Sequence, residues 1–257
     1  MSLDITPLVL TFNEGPNIGR TLEKLGWAKE IVVIDSYSTD DTLEIVKLFP
    51  QARIIQRKFD SFASQCNFGL QQVKTEWVLS LDADYILSDE LNRELQEPKI
   101  TSDIAGFRAT FIYCIDGRHL RATLYPPRTV LYRKALANYR EEGHGHRVMV
   151  QGNVSQLRHP IFHDDRKPLD HWFREQMKYA TQEASYLVGS DVGDLKGVDR
   201  IRQKIIFAPA LIFFYTLFAK GLVLDGWPGW YYVFQRTLAE ILLSLRLTEA
   251  KLKSRVC

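Results

Sequence analysis

The sequence predicts an α/β protein: a mixed, mainly parallel sheet flanked by helices, followed by a helical, partly apolar C-terminal extension. Three observations carry this. Between residues 5 and 110, short β-branched runs alternate with polar helical stretches, the order that right-handed crossovers turn into a parallel sheet. The runs are apolar without alternation, as Ile31-Val32-Val33-Ile34 is, which marks strands covered on both faces. From Pro168 onward the apolar spacing becomes helical. The domains expected are 1–165, divided into halves at about residue 90, and a helical extension over 166–257.

The elements follow in order. Ile5–Thr11 is a strand, and the turn-like Asn13-Glu14-Gly15-Pro16 leads into a helix over 17–25, with Ile18, Leu22 and Leu25 at helical spacing. The run 31–34 is a strand ending in Asp35, after which Ser38-Thr39-Asp40-Asp41-Thr42 supplies capping chemistry for a helix through Leu48. Strands at 53–56 and 77–81 enclose a helix over 61–73. Further strands are expected at 107–113, 120–125, 130–132 and 147–150. Trp172, Gln176, Tyr179 and Ala180 then lie on one helical face. A nearly all-apolar stretch covers 205–219, and an amphipathic helix covers 233–252.

Composition narrows the function. Lys and Arg number 33 against 31 Asp and Glu, a net charge of +2. So even a balance gives no drive toward nucleic acid, whose binding rests on clustered cations. The cysteines, Cys66, Cys114 and Cys257, are three and widely spaced, which points to no disulfide framework and to a reducing cytoplasm. Residues 1–9 lack the basic start of a signal peptide.

Ligands of open α/β sheets sit beyond the carboxyl ends of the strands. Thr11, Asn13 and Glu14 follow the first strand, Asp35 the second, and Asp82-Ala83-Asp84 the strand at 77–81. Three polar clusters thus converge on one rim. In extended backbone, residues two apart point the same way, so Asp82 and Asp84 can face one pocket. Two such oxygen donors suit Mg²⁺ or Mn²⁺, which bind diphosphates. The bland alternatives are a solvated acidic turn for Asp82-Ala83-Asp84, a helix cap for Glu14 and an N-cap for Asp35.

Taken together, Pro7, Thr11-Phe12-Asn13-Glu14, Val33-Ile34-Asp35-Ser36-Tyr37-Ser38-Thr39-Asp40-Asp41-Thr42, Gln65-Cys66-Asn67-Phe68-Gly69 and Leu81-Asp82-Ala83-Asp84 resemble glycosyltransferase family 2 in order and spacing over about the first ninety residues. The resemblance implies the GT-A fold, a nucleotide-sugar donor (a UDP-sugar first), a divalent cation and inversion at the anomeric carbon. It assigns Pro7, Thr11, Asn13 and Glu14 to the nucleoside, Asp35 to the base and Asn67 to the donor's border, where it serves equally as a helix-positioning amide. Asp82 goes to the ribose or metal and Asp84 to the metal. Tyr85 stands where members often carry an acid. The whole-chain pattern is most similar to members that build lipopolysaccharide core or related envelope glycans, so the acceptor expected is a glycolipid or glycan. The alternatives are a transferase whose acceptor is polyprenyl phosphate, and a non-catalytic, membrane-associated nucleotide-sugar-binding scaffold.

Residues 139–147, Tyr-Arg-Glu-Glu-Gly-His-Gly-His-Arg, interleave glycine with His and Glu and read as a polar loop. Inverting transfer needs a group that takes the acceptor's proton, and the candidates are Glu142, then Glu141, then His146. Related members carry a His-Glu pair here, but Arg147 replaces the Glu. His144 and His146 form an alternative metal pair. His163 is a late third metal ligand in the resemblance, and Arg166, Lys167 and Arg128 are cations for the diphosphate. Pro209 interrupts the apolar stretch 205–219, whose 15 residues are shorter than the roughly 20 of a membrane span. Its flanking cations and Trp227, Trp230, Tyr231 and Tyr232 read as a segment in the membrane interface. The alternatives are a hairpin buried in a homo-oligomer or against the sheet, and a full span through Leu224. The protein expected is therefore peripheral on the cytoplasmic face of the inner membrane.

Overall fold

The apolar runs of the first half become strands because both of their faces are covered. The computed structural model describes residues 3–97, 103–142, 145–190 and 197–254, with backbone alone at 142, 145, 146 and 254. Strands β1 (Ile5–Thr11), β2 (Ile31–Asp35), β3 (Ala52–Gln56) and β4 (Trp77–Asp82) alternate with helices α1 (Gly15–Glu23), α2 (Thr42–Val46) and α3 (Phe62–Gln72). Leu8, Val32, Ile34 and Val78 pack on Ala63, Cys66 and Leu70 of α3. Val9, Val33, Leu79 and Leu81, one residue out of step, pack with Ile18 and Leu22 of α1. Period-two backbone thus feeds two cores from one apolar run. Gly69 lets α3 come this close: a Cβ there would lie 2.7 Å from a Leu8 methyl.

After β4 come β5 (Tyr85–Leu87), α4 (Asp89–Gln96), β6 (Ile104–Ala109), β7 (Phe111–Ile115), β8 (Arg118–His119), β9 (Arg128–Arg133), β10 (Ala137–Glu142), β11 (Gly145–Val150), β12 (Asn153–Gln156) and β13 (Ile161–His163). The main sheet has seven strands in the order β12-β6-β9-β4-β1-β2-β3. β1 is parallel to β2 and β4, and β2 to β3, while β9 is antiparallel to β4 and β6. A second sheet runs β5-β13-β7-β8, and β10 pairs with β11 alone.

The expected parallel core is present, and the differences have local causes. The single strand expected over 107–113 is two, divided at Thr110, because β6 serves the main sheet and β7 the second. Residues 120–125 are not a strand; Pro126-Pro127 follows and removes two ladder donors. α2 stops at Val46 rather than Leu48, which is 76% exposed and followed closely by Pro50. The polar loop expected over 139–147 is a hairpin, with Glu141 opposite His146 and Glu142 opposite Gly145.

By contacts the chain divides into two units, Met1–His119 with Leu124–Arg166, and Leu120–Thr123 with Lys167–Cys257. The second unit consists of α5 (Leu169–Gly189), α6 (Gly197–Arg202), α7 (Phe207–Phe214) and α8 (Gly226–Ser254). Ala180, Ala184 and Leu187 of α5 pack on Leu243 and Leu247 of α8. Arg202 bonds Glu240 at 2.7 Å and Glu183 at 3.1 Å. A π-helical turn, Tyr215–Ala219, prolongs α7. None of the described helices is by itself long and apolar enough to cross a membrane; Phe207–Ala219 and Leu222–Lys253 meet that test only together, across a 67° bend.

Asp164 closes the first unit. It is 3% exposed, and its carboxylate accepts from Arg20 at 2.7 Å, Arg166 at 2.8 Å and the Gly117 N–H at 3.1 Å. Burial opposes its charge, but Arg166, Gly117 and Arg20 outweigh that and hold the carboxyl below its usual range. A carboxyl with a lowered folded pKa contributes stability above its unfolded value and loses it as pH falls. Asp164→Asn is therefore expected to lower stability by about 3 kcal/mol at pH 7, toward the lower end for a broken buried pair because both arginines are partly exposed. The wild type should lose most of that advantage below about pH 4. Urea unfolding of both proteins at pH 7 and pH 3 checks this; an equal gap at the two pH values rejects it.

Candidate active site

At the carboxyl edge, the loops after β1 and β2 are bonded to each other. The Asn13 N–H donates to Ser38 Oγ at 2.8 Å, and Asn13 Oδ1 accepts from the Thr39 N–H at 2.8 Å. The Glu14 N–H donates to Thr42 Oγ1 at 2.8 Å, and the Gly15 N–H to Asp40 at 3.1 Å. Asp40 also accepts from the Thr42 hydroxyl and, at 3.1 Å, from the Thr42 N–H; burial opposes its charge, yet the bonds from Thr42 and Gly15 hold its carboxyl below the usual range. Asn13 has φ of 53°, left-handed backbone that Asn tolerates. The Thr11 hydroxyl is buried with no partner among the described residues, and a buried donor in that condition calls for an occupant. Pro7 lies in β1 opposite Leu79, inside the sheet rather than on the rim.

Asp35 is fully buried. Its carboxylate accepts from the Ser38 N–H at 3.0 Å, Ser38 Oγ at 2.5 Å and the Gln56 amide at 3.0 Å. Asp35, the acid that the resemblance assigns to the base, holds the loop through these bonds. Asn67 resolves the same way. Its amide donates to Tyr139 O and accepts from Tyr139 N, both at 2.9 Å, so it extends β10 with a side chain and positions α3.

The acidic motif is a turn, not two turns of a strand. β4 ends at Asp82, the chain leaves the main sheet at Ala83-Asp84, and β5 starts at Tyr85. The extended geometry expected for Asp82 and Asp84 is therefore corrected, but the two carboxylates still act on the same groups. Both raise the pKa of Tyr85, Tyr125 and His163, after burial, and both favour the Arg128 cation. Arg128 lies over the Tyr125 ring at 4.7 Å; burial opposes its charge, and Tyr85, Tyr125 and the two aspartates more than offset it. Tyr85 and Tyr125 share a hydroxyl hydrogen bond.

His163 Nε2 lies 3.2 Å from Asp84 Oδ2, with the side chains 14% and 13% exposed, and its Nδ1 has no partner among the described residues. Two donors on adjacent vertices of an octahedral ion, each at about 2.1 Å, stand about 3.0 Å apart. The pair thus fits one divalent cation. Among the described residues no three His, Cys, Asp or Glu side chains form a metal-holding cluster, so the rest of a coordination shell would come from ligand oxygens and water.

Arg166 does not reach for a ligand. Its guanidinium, which the resemblance assigns to the diphosphate, pairs here with Asp164 and, at 2.9 Å, with Asp116. Glu141 is exposed and accepts the Ala63 N–H at 3.0 Å, capping α3 beside Ser61, whose Oγ takes the Ser64 N–H. The side chains of Glu142 and His146, and the whole of His144, lie outside the described residues. A cleft of about 500 Å³ between α3 and β10 is lined by Arg57, Phe68, Gln71, Tyr139, Arg140 and Glu141. Tyr125, Gln56 and Arg20 were not singled out by the sequence. Only Tyr125 left a trace there, three residues before Arg128 on the far side of two prolines.

A parallel sheet with a polar rim and an acidic turn at its carboxyl edge is the ligand-binding arrangement of open α/β enzymes. The family described as glycosyl transferase family 2 matches residues 8–161, well over half of the chain. The chain belongs to this family and is a glycosyltransferase. It is 29% identical over 236 residues to the lipopolysaccharide core biosynthesis glycosyltransferase LpsC of Rhizobium meliloti, covering 88% of this chain and 85% of that protein. It is 33% identical over 93 residues to an uncharacterized glycosyltransferase of Rickettsia prowazekii, a match that spans 36% of this chain and 32% of that protein. Among solved structures, the mannosyltransferase PcManGT of Pyrobaculum calidifontis, in complex with GDP-Man and Mn²⁺, aligns with a TM-score of 0.54 at 13% identity, over 96% of this chain and 88% of that one. That likeness is one of fold, the GT-A arrangement.

Asp84→Asn keeps the shape of the turn and removes one negative charge. It is expected to weaken Mn²⁺ binding in the presence of UDP by more than about tenfold. Titration calorimetry of wild type and variant measures this; equal Mn²⁺ affinity removes Asp84 from the metal site.

Proposed function

We propose that the protein transfers a sugar, with inversion, from a nucleotide-sugar donor to a hydroxyl of a glycolipid or envelope glycan, assisted by a divalent cation. The observation that carries this reading is the Asp84–His163 pair beside Asp82 and Arg128, at the end of β4 and next to the β1–β2 rim. Asp84 and His163 would hold Mn²⁺ or Mg²⁺, with the Asp82 charge close by, and the ion would neutralise charge on a departing diphosphate. Arg128 adds a fixed positive charge on the same side, where the leaving group gains negative charge. Thr11, Asn13 and Glu14 border the nucleoside. The similarity to LpsC supports an acceptor in the lipopolysaccharide core.

The general base we assign is Glu142. It is the last residue of β10, and its neighbour Glu141 is engaged with the α3 N-terminus. That bond holds the Glu141 carboxylate against the start of α3 and away from an acceptor's hydroxyl. Glu142→Gln is expected to lower kcat by roughly 10²–10⁴ with little change in donor affinity. Glu141→Gln should cost stability instead and change kcat only a few-fold. Transfer from UDP-sugars to deacylated lipopolysaccharide core, with Mn²⁺ and with EDTA, tests both claims. No transfer from any nucleotide sugar rejects the activity, and a dead Glu141→Gln beside an active Glu142→Gln moves the base.

We further propose that the second unit docks on the cytoplasmic face of an anionic membrane. Ile206, Phe207, Phe214, Phe218 and Trp227 are 58–84% exposed, a concentration of apolar surface uncommon in a soluble chain. Arg200 and Lys204, also exposed, lie just before it in sequence and complement anionic headgroups. Wild type should sediment with anionic liposomes at low salt and be partly released at high salt, since salt screens the cationic part alone. Replacing Phe214, Phe218 and Trp227 with Ser should leave it in the supernatant with UDP binding unchanged. A wild type that ignores liposomes while the triple variant changes its elution volume on size exclusion points to an oligomer contact.

A further inference from the structure

The backbone after β2 is left-handed at Tyr37, with φ of 64°. Among the described residues, three other non-glycine residues share this conformation, Asn13, Asp116 and Ile205. Asn and Asp tolerate it because their short side chains bond locally, and Ile205 packs against the α5–α8 core. Tyr37 has neither return. Its side chain is 53% exposed, and no described residue bonds its hydroxyl. The turn itself forces the conformation. Asp35 accepts both the N–H and the hydroxyl of Ser38, while the Ser36 N–H is held by Thr11 O at 2.9 Å. Whatever residue occupies position 37 must bend this way, and glycine would do so without strain. A large aromatic side chain strained in this turn and left in solvent weakens the free protein. Such strain persists where a site uses it.

We infer that Tyr37 is a binding residue of the donor site, its ring being the surface on which the base of the nucleotide sugar stacks. This rests on the nucleotide-sugar reading above. The position fits. β2 lies two strand spacings from β4, roughly 10 Å, with β1 between them. A nucleoside diphosphate with its phosphates at Asp84 crosses β1 with its ribose and brings its base over the end of β2. The engaged carboxylate of Asp35 leaves the flat face of the base, not its edge, as the part to be recognised there. Every base offers such a face to an aromatic ring.

The test compares the full-length wild type with Tyr37→Phe, Tyr37→Leu and Tyr37→Gly. Binding of UDP, GDP and CDP with Mn²⁺ is measured by calorimetry, and the Tm of each free protein by thermal unfolding. For the nucleotide that wild type binds best, Phe should hold affinity within about threefold, while Leu and Gly should lose about 5- to 100-fold. The Gly variant should melt no lower than wild type, because it relieves the turn. Gly binding as tightly as wild type overturns the inference, as does Leu doing so, which would make bulk rather than stacking the requirement. Unchanged nucleotide affinity with a raised acceptor KM overturns it too, by giving the ring to the acceptor. A wild type that binds none of the three nucleotides is a different failure, of the donor reading itself, and it shows before any variant is made.

Discussion

A buried carboxylate must be given donors, and the carboxyl edge of the sheet is organised around doing so for Asp35. Water cannot reach it, and an unsatisfied charge there would cost more than the loop contributes. Ser38 and Gln56 supply the donors. Once Ser38 is fixed by Asp35, its hydroxyl is in place for the Asn13 N–H, and Thr39 is in place for the Asn13 side chain. Two loops from neighbouring strands thereby become one rigid rim, and its polar groups keep their places before any ligand arrives. That is the condition for recognition without large reorganisation.

The same logic recurs at Asp164, with longer reach. Its partners come from α1, from the turn after β7 and from its own strand end, so one carboxylate draws together segments up to 144 residues apart. Arg166 and Arg20 are thereby held as structural cations, and Arg128 is left as the cation beside the acidic turn. Charge alone does not distinguish these arginines. Their distance to a buried partner does.

What the sequence made legible was whatever is local or periodic. The strands β1, β2 and β4 follow from apolar runs, α1 and α3 from spacing, and the acidic turn from its place after Trp77-Val78-Leu79-Ser80-Leu81. The residues of the rim were found, but Asn67 stayed open between bordering the donor and positioning a helix, because it looks identical in sequence whether it meets a ligand or the backbone. The hairpin β10–β11 was hidden by its glycines and charges, which resemble a loop until Tyr139 is seen buried and bonded to Asn67. The division of 107–113 between two sheets and the engagement of Arg166 depend on partners far along the chain, and no window of sequence contains them.

The bond between Asn67 and Tyr139, together with Glu141 at the start of α3, ties the hairpin to a helix that packs on β1, β2 and β4. Helix and hairpin are therefore a single cassette. Exchanging the hairpin alone between relatives, to alter which acceptor is used, strips the helix of a cap and the strand of its side-chain partner. A chimera that carries 61–72 and 137–150 across as one block keeps both, and the lineage itself would be free to vary the pair only in concert.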